Sequence, residues 1–275
     1  MNVRQIYEKV QECYGSAAKE SSGEYGRAVA KAFGYSEEEL TIIPKDANLG
    51  LSCGNPLALA KLREGETVID LGSGAGFDVF LAANRVGVQG RAIGVDMNKG
   101  MLERANRNRE AAMANNVSFI ESAITAISLP DETADCIISN CVVNLVPEQE
   151  KQLAFSEMFR LLKSGGRVAI SDILIRKDLP KELKESMALY VGCVAGASHI
   201  KDYEKYLQEA GFRDILIVDS KHDLNVYTDV NKDGSRDCCC AGDPADNHLE
   251  NLVEQYKDLD FNKWAGSFQI YAVKP

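Results

Sequence analysis

Residues 68–78 read VIDLGSGAGFD, an apolar strand pattern followed by a glycine-rich turn and the start of a helix. Gly72, Gly74 and Gly76 let the backbone turn tightly and approach a ligand closely. They fall at positions one, three and five, whereas a nicotinamide dinucleotide motif has glycines at one, three and six. Asp70 ends the strand, and a carboxylate there suits a cationic ligand better than a pyrophosphate. The stretch therefore predicts a ligand-binding turn between a strand and a helix.

From Glu66 onward, short apolar runs alternate with helical patterns. The five runs are TVIDLG, RAIGVDM, VSFIES, ADCIIS and GRVAISDILI. Such alternation predicts βαβ units, and hence a parallel sheet covered by helices on both faces. FRDILIVDS and GSFQIYAVKP predict two more strands, which form an antiparallel pair at the edge. The expected fold is α/β, a doubly wound and mostly parallel seven-stranded sheet.

Three parts are expected along the chain. Residues 1–55 form an N-terminal helical cap that carries a thiol loop. Residues 56–220 form the ligand-binding sheet domain. Residues 221–275 form a C-terminal arm with a cysteine-rich loop and the last strand.

The net charge is −10 over 275 residues, and no stretch collects basic residues. This composition argues against nucleic acid and against an anionic membrane surface as partners. Neither a signal-peptide pattern nor an apolar run of membrane-spanning length is present. The chain is therefore expected to be cytoplasmic, and its eight cysteines to be free thiols or metal ligands rather than a disulfide framework.

A second acid, Asp96, ends the second strand, where it can bridge the two hydroxyls of a ribose. Met97 can then lie on one face of an adenine, and Ile124, just after the third strand, on the other. The residues thus predict a nucleoside site without a phosphate cradle. The alternative is that the glycines only form a tight turn.

This region resembles the class I S-adenosylmethionine-dependent methyltransferases, which have a seven-stranded sheet of Rossmann-like type. The resemblance implies that Asp70 and the glycine turn hold the methionine end of S-adenosyl-L-methionine. It also implies that Asp96 holds the ribose, Ile124 the adenine, and that Asn140 lies beside the sulfonium. The complete predicted cofactor set is Asp70, Gly72, Ser73, Gly74, Asp96, Met97, Ala123, Ile124 and Asn140.

Three cysteines stand in predicted loops: Cys53 in GLSCGNP, Cys141 in SNCVVNLV and Cys193 in YVGCVAG. Cys141 follows the fourth strand and should stand at the ligand-binding edge of the sheet. Three thiolates without an adjacent histidine favour a soft, thiophilic centre over magnesium or calcium. The alternative is that each cysteine is a small buried hydrophobic residue.

The same three stretches, together with VIDLGSGAGFDVFLAA and GVDMNKGML, are similar to the arsenite methyltransferase family. The resemblance implies that Cys141 and Cys193 bind trivalent arsenic and that Cys53 joins them during turnover. Arsenite and methylarsenite are the implied substrates, and thioredoxin or glutathione the implied reductant. Several family members have a fourth cysteine in the amino-terminal region. This chain has none there that matches, because Cys13 lies inside the first predicted helix.

One segment carries two further patterns. Five residues fit positions 1, 3, 5, 6 and 9 of a calcium-binding loop, although Cys240 stands where the loop requires glutamate; they are Asp229, Asn231, Asp233, Gly234 and Asp237. A solvated turn is the default interpretation. Cys238, Cys239 and Cys240 follow, and they either deliver arsenite to the site or form a separate soft-metal site.

Two other functions compete with arsenic methylation. A methyltransferase of the same fold could act on carbon in a quinone or sterol precursor, which requires an apolar pocket and a base. A catalytically silent arsenic-binding protein would keep the thiols, while its cofactor fold has lost its activity. The acids and glycines of the cofactor set argue against the silent protein, and the three thiols argue against the carbon methyltransferase.

Overall fold

The computed structural model describes residues 2–19, 23–179, 195–227 and 260–275. Within them lies one seven-stranded sheet: β1 (Thr67–Leu71), β2 (Arg91–Asp96), β3 (Val117–Glu121), β4 (Ala134–Asn140), β5 (Leu162–Ile175), β6 (Arg213–Asp219) and β7 (Ala265–Val273). The described α-helices are α1 (Val3–Ala17), α2 (Gly23–Ala32), α3 (Glu37–Thr41), α4 (Pro56–Ala60), α5 (Phe77–Val86), α6 (Lys99–Ala111), α7 (Lys151–Leu161) and α8 (Ile200–Ala210). Short 3-10 turns span Lys45–Ala47, Val143–Leu145, Glu148–Glu150, Leu224–Tyr227 and Phe261–Lys263.

The strand order is β3-β2-β1-β4-β5-β7-β6. Strands β1 to β5 are parallel, and β7 runs antiparallel to both β5 and β6. The predicted doubly wound, mostly parallel sheet with an antiparallel pair at its edge is therefore confirmed. The chain order reverses between β1 and β4, and an open α/β sheet binds its ligands outside the carboxyl ends of the strands at such a point.

Two hydrophobic clusters cover the two faces of the sheet, as parallel sheets require. Helices α7 and α8 pack on one face, where Phe155 and Tyr203 are fully buried. Helices α4 and α5 pack on the other face, around Leu57 and Leu81. Because both faces are covered, the ligand-accessible part of the sheet is its carboxyl edge.

Helix α1 lies over that edge. It begins at a capping box, in which the Asn2 side chain accepts from the Gln5 backbone N–H and the Gln5 side chain accepts from the Asn2 N–H. Asn98 at the start of α6 donates to the Gln11 carbonyl at 3.0 Å, and Tyr7 donates to Glu150 at 2.7 Å. These contacts hold α1 over the carboxyl edge, against the start of α6 on one side and Glu150 on the other.

Some predictions fall outside the described residues or remain untested. The stretch KELKESMALYVG, residues 181–192, has a helical sequence pattern and lies outside the described ranges. The domain boundaries at 55 and 220 stay predictions, and β7 from the predicted C-terminal arm is a strand of the main sheet. None of the described helices is long and apolar enough to cross a membrane.

Candidate functional site

A cleft that is partly open to solvent lies at the carboxyl ends of β1, β2 and β4 under α1. Its walls are largely apolar, and a few polar groups converge on it, which is the usual character of a small-molecule site. Every residue of the predicted cofactor set lines it, as does Cys141: Asp70, Gly72, Ser73, Gly74, Asp96, Met97, Ala123, Ile124, Asn140.

The glycine turn forms one wall of the cleft. Gly72 has φ +70°, and a Cβ added there would lie 2.3 Å from a methyl carbon of Val142. Its N–H donates to the Val95 carbonyl at 2.7 Å, which ties the turn to the end of β2. Gly74 also has a positive φ of +51°, and a Cβ there would meet only the sulfur of Met101, at 3.9 Å. The turn therefore needs glycine at 72 for both its backbone conformation and its packing.

Backbone donors hold the second acid in place. The Asp96 carboxylate accepts from the Gly74 N–H at 2.9 Å and from the Asn98 N–H at 2.8 Å. Burial raises the pKa of Asp96, and these backbone hydrogen bonds oppose the rise. Because two N–H groups fix the carboxylate, its orientation does not depend on a ligand. A rigid acceptor at the end of β2 suits a pair of ribose hydroxyls.

Among the described residues, the carboxyl group of Asp70 in the cleft has no basic partner. Asp70 is 4% exposed, and no residue that the structure describes donates a hydrogen bond to its carboxylate. Burial, followed by the charges of Asp78 and Asp96, raises the pKa of Asp70 well above its usual range. Among the described residues that line the cleft, none is lysine or arginine. Since buried charges require a partner, the arrangement suits a ligand with positive charge.

The residues also fit the remainder of a nucleoside ligand. The Ser73 hydroxyl is buried and has no hydrogen-bond partner among the described residues, so it is available to a polar group of a ligand. Met97 and Ile124 lie on the adjacent apolar wall, which suits a flat base. A cationic nucleoside therefore matches the donors, acceptors and apolar surface of the cleft.

Sequence reasoning missed a polar cluster at the inner end of the cleft. Asn140 Nδ2 lies 2.9 Å from the Tyr35 hydroxyl, 3.0 Å from Asp78 Oδ2 and 3.0 Å from the Gly54 carbonyl. The Tyr35 hydroxyl donates to Asp78 Oδ1 at 2.7 Å. Burial raises the pKa of Asp78 to about 6, although its hydrogen bonds with Asn140 and Tyr35 oppose the rise. The sequence signal that could have found this cluster is an acid, Asp78, at the start of the helical pattern directly after the glycine turn.

Two of the three predicted site cysteines meet beside this cluster. Cys53 and Cys141 are joined by a disulfide with Cα atoms 5.8 Å apart, although 88 residues separate them in sequence. The expectation of free thiols is thus wrong for this pair, because the CGNP loop brings Cys53 to the end of β4 at a separation typical of a disulfide. Cys53 is fully buried, and Cys141 is 7% exposed and lines the cleft.

The backbone and surroundings of the pair are unusual. Cys141 has φ +61°, a left-handed conformation that is rare outside glycine and is often found at functional sites. Its N–H donates to the Ser171 carbonyl at 2.8 Å. An Asp172 carboxylate oxygen lies within 4.8 Å of both sulfurs. Burial raises the pKa of Asp172 to about 6, opposed by the hydrogen bond from Tyr203.

The other cysteines divide into two groups. Cys193 and the Cys238–Cys240 triplet lie outside the described residues, as does the predicted Asp229–Asp237 calcium loop. Cys13 and Cys136 are not part of a disulfide and do not line the cleft. Burial raises the pKa of Cys136 to about 12, so it stays protonated and does not act as a thiolate.

Comparison with known proteins finds arsenite methyltransferases, the family that the motifs resemble, among the relatives of this chain. The chain is 40% identical over 230 residues to an arsenite methyltransferase of Halobacterium salinarum, which covers 81% of this chain. It is 32% identical over 246 residues to the arsenite methyltransferase of Mus musculus, which covers 82% of this chain. The chain spans 58% and 64% of the lengths of these two relatives, less than two thirds in each case.

The fold also matches a solved structure. CrArsM, an arsenic (III) S-adenosylmethionine methyltransferase from Chlamydomonas reinhardtii, superposes with a TM-score of 0.58 at 26% identity. The match covers 90% of this chain and 73% of that chain. The sequence profile described as a methyltransferase domain matches residues 62–211, which is more than half of the chain. With its seven-stranded, mostly parallel sheet, the chain has the class I methyltransferase fold and belongs to the methyltransferase domain family.

Proposed function

We propose that the chain is an arsenite methyltransferase that transfers a methyl group from S-adenosyl-L-methionine to trivalent arsenic held by cysteine thiolates. The observation that carries the proposal is the meeting of Cys53 and Cys141 at the end of β4. There Cys141 lines a cleft whose acids, lack of described basic lining residues and apolar wall suit a cationic nucleoside. The relatives at 40% and 32% identity support the same activity.

The cofactor set takes the roles that the cleft chemistry favours. Asp70 faces the methionine end, where the ligand carries an ammonium, and Asp96 accepts from the ribose hydroxyls. Met97, Ala123 and Ile124 surround the adenine, and Ser73 and the glycine turn approach the methionine end. Asn140 lies at the sulfonium side. When bound, the cofactor supplies an electrophilic methyl group on positively charged sulfur.

The thiols take the substrate. Arsenite is a neutral trihydroxide, and each thiol that binds arsenic releases one water, because the thiol proton leaves with an arsenic hydroxyl. We propose Cys53, Cys141 and Cys193 as the arsenic ligands, and sulfur is the donor that a soft centre prefers. Trivalent arsenic keeps a lone pair, so it can accept the methyl group without a general base. The protein contributes orientation and the exclusion of water.

Turnover also needs a reductant. Methylation makes arsenic formally pentavalent, and two thiols restore the trivalent state by giving up two electrons and forming a disulfide. The Cys53–Cys141 disulfide fits such an oxidised form of the site. A dithiol protein such as thioredoxin, or glutathione, returns it to two thiols by exchange. This cycle requires a reducing compartment, and we therefore propose a cytoplasmic location.

One assay tests the proposal against its competitors. The purified chain is incubated with methyl-labelled cofactor, arsenite and a thiol reductant, and labelled arsenicals are separated by chromatography. Methylated arsenic is the expected product. Label found only in a quinone or sterol precursor would establish the carbon methyltransferase instead. Bound arsenite with no transferred label, despite bound cofactor, would establish the silent arsenic-binding protein.

A further inference from the structure

The Asn140 carboxamide connects the cofactor cleft with the Cys53 loop. Its Oδ1 accepts from the Cys53 N–H at 3.2 Å, and its Nδ2 lies 3.0 Å from the Gly54 carbonyl. On the other side, the same nitrogen contacts Asp78 and Tyr35. Asp78 itself lines the cleft. One side chain therefore contacts both the loop that presents a site thiol and an acid that faces the cofactor.

Asn140 Nδ2 carries fewer hydrogens than there are acceptor oxygens around it. A primary amide carries two N–H donors, whereas three oxygens lie within 3.0 Å of Asn140 Nδ2: those of Tyr35, Asp78 and Gly54. The Tyr35 hydroxyl donates its own hydrogen to Asp78, and its oxygen accepts from Asn140 Nδ2 and also contacts the Ser52 side chain. The three acceptors compete for two hydrogens, so the three contacts cannot all be full hydrogen bonds at once.

A cation in the cleft changes this competition. Positive charge next to Asp78 interacts with the carboxylate oxygen that otherwise attracts an Asn140 hydrogen. Both hydrogens are then available to Gly54 and Tyr35, and the Gly54 bond is formed more fully. The Cys53 loop becomes better fixed because Asn140 now holds it at two backbone atoms.

We infer that Asn140, Asp78 and Tyr35 couple the two ligands, so that a cationic nucleoside in the cleft strengthens binding of a trivalent arsenical at Cys53 and Cys141. This inference rests on the proposed function, since it needs both ligands. Tyr35, Asp78 and Asn140 act as positioning residues in it. By linkage, the arsenical must strengthen nucleoside binding by the same factor.

The coupling matters once the disulfide is reduced. In the disulfide, a covalent bond fixes the distance between the two sulfurs. After reduction, the described hydrogen bonds that hold the loop backbone at Cys53 and Gly54 are those of Asn140 and the one from Ser267 Oγ to the Cys53 carbonyl, at 2.7 Å. A loop held by few bonds is sensitive to the gain or loss of one of them.

Tyr35→Phe is the diagnostic variant. It removes one of the three acceptors, so the two Asn140 hydrogens serve Asp78 and Gly54 whether or not a cation is present. Both ligands should still bind, but independently of each other. The ring of Tyr35, which packs at 4.7 Å from the ring of Phe77, is retained. Tyr206→Phe is the matched control, because its hydroxyl also donates to a carboxylate, that of Glu148, away from the cleft.

Calorimetry on the phosphine-reduced protein measures the coupling. The nucleoside probe is sinefungin, which carries amines at both the methionine end and the sulfonium position and has no methyl group to transfer. The arsenical probe is phenylarsine oxide, which binds two thiols. In the wild type and in Tyr206→Phe, saturating phenylarsine oxide should lower the Kd of sinefungin by about fivefold or more. In Tyr35→Phe, the Kd of sinefungin should be the same with and without phenylarsine oxide.

A second measurement needs no variant. Adenosine carries neither cation, so its Kd in the wild type should not change with phenylarsine oxide. Equal coupling for adenosine and sinefungin, no coupling for sinefungin in the wild type, or unchanged coupling in Tyr35→Phe would each overturn the inference and leave the proposed function standing. A wild type that fails to bind sinefungin or phenylarsine oxide would overturn the proposed site and the inference with it.

Discussion

Single side chains of the cleft serve chemically different ligands. The acids at the ends of β1 and β2 face a region without described basic residues, whereas Cys141 stands at the end of β4. Because the carboxylates of Asp70 and Asp96 share no atoms with the thiols, substitution of either acid should leave binding of an arsenical, measured without the cofactor, largely intact. Residue-level predictions can therefore be tested with one ligand as the measured partner and the other as the control.

Asp96→Ala should weaken cofactor binding and leave arsenite binding largely unchanged. The substitution removes a charged acceptor from two ribose hydroxyls, which should cost on the order of 1.5–3 kcal/mol, or about tenfold to about 150-fold in Kd. Calorimetry with the cofactor and with a trivalent arsenical measures both effects. Glu103→Ala, at an exposed position of α6 outside the cleft, is the control. Unchanged cofactor affinity in Asp96→Ala would remove the ribose assignment.

Cys53→Ser should separate two substrates. Methylarsenite already carries one carbon and needs two sulfur ligands, whereas arsenite has a third position for a thiolate. The variant should lose most activity on arsenite and retain more on methylarsenite, while Cys141→Ser should lose both, since a hydroxyl is a poor ligand for a soft centre. Turnover is compared by chromatography of the products.

The background for this test needs two precautions. Cys238–Cys240 should be changed to serine, so that no thiol of the triplet substitutes for Cys53. Cys136→Ser is the control, because this buried thiol lies away from the cleft and should be dispensable for transfer. Equal losses on both substrates in Cys53→Ser would assign Cys53 to turnover in general, for instance to reduction.

All residues of the predicted cofactor set line the cleft, whereas among the described residues Cys141 is the only predicted site cysteine that does so. Asp70 and Asp96 stand at the ends of apolar strand patterns. Because strand ends meet at one edge of a parallel sheet, these local patterns were sufficient to predict that the two acids lie at that edge. The disulfide partner of Cys141 lies 88 residues away. The hydrogen bond between Tyr35 and Asp78 joins two elements 43 residues apart. Such pairings depend on how the N-terminal cap docks on the sheet, which no local pattern encodes.

Among the elements, the turn between β1 and α5 is the most constrained. Gly72 and Gly65 both have positive φ, +70° and +83°, but an added Cβ would overlap Val142 at Gly72 and meet nothing within 4 Å at Gly65. Alanine at either position should cost about 1–2 kcal/mol for the left-handed conformation. Gly72→Ala should cost about 1–3 kcal/mol more for the overlap.

Denaturant unfolding of the two glycine variants measures this difference, and calorimetry adds the functional effect. Gly72→Ala should also weaken cofactor binding, because relief of the overlap moves Val142 and the turn. Gly65→Ala should bind the cofactor like the wild type. Equal free energies of unfolding for the two variants would show that the turn adjusts to the added methyl group, contrary to the overlap expected at Gly72.

The regular elements were predictable because their patterns are long and bounded by turn residues. All seven predicted strands are present, and the alternation of strands and helices is seen between β4 and β5, where α7 follows a 3-10 turn at Glu148–Glu150. The conformation of Cys141 was not predictable. Its left-handed backbone follows from the hydrogen bond to Ser171 on the neighbouring strand and from the loop packed against it, and these are tertiary contacts.

For the molecule as a whole, buried acids make stability depend on pH. The pKa of Asp78 rises from 3.8 to about 6 on folding, so between about pH 4 and pH 6 the folded protein holds a proton that the unfolded chain has released. By linkage, the contribution of Asp78 to stability is greatest below about pH 4 and is lost as the pH rises through about 6. The loss is on the order of 2–3 kcal/mol.

Asp78→Asn should remove this dependence. The free energy of unfolding of the variant minus that of the wild type should increase from pH 4 to pH 7. Altered hydrogen bonds add a constant to this difference and do not change its increase. Urea unfolding at several pH values measures the difference. A pH-independent difference would contradict the raised pKa. Saturating cofactor should flatten the dependence in the wild type, because its positive charge favours the ionised carboxylate.

The strand order has a consequence for biosynthesis. Strand β7 follows β6 in the chain but lies between β5 and β6 in the sheet. As the chain leaves the ribosome, β6 emerges without its neighbour, and its backbone donors and acceptors stay open until β7 has been translated. An unpaired strand of this kind is a template for pairing with other chains. A nascent chain that stalls between these two strands therefore exposes the edge of β5 and the unpaired backbone of β6.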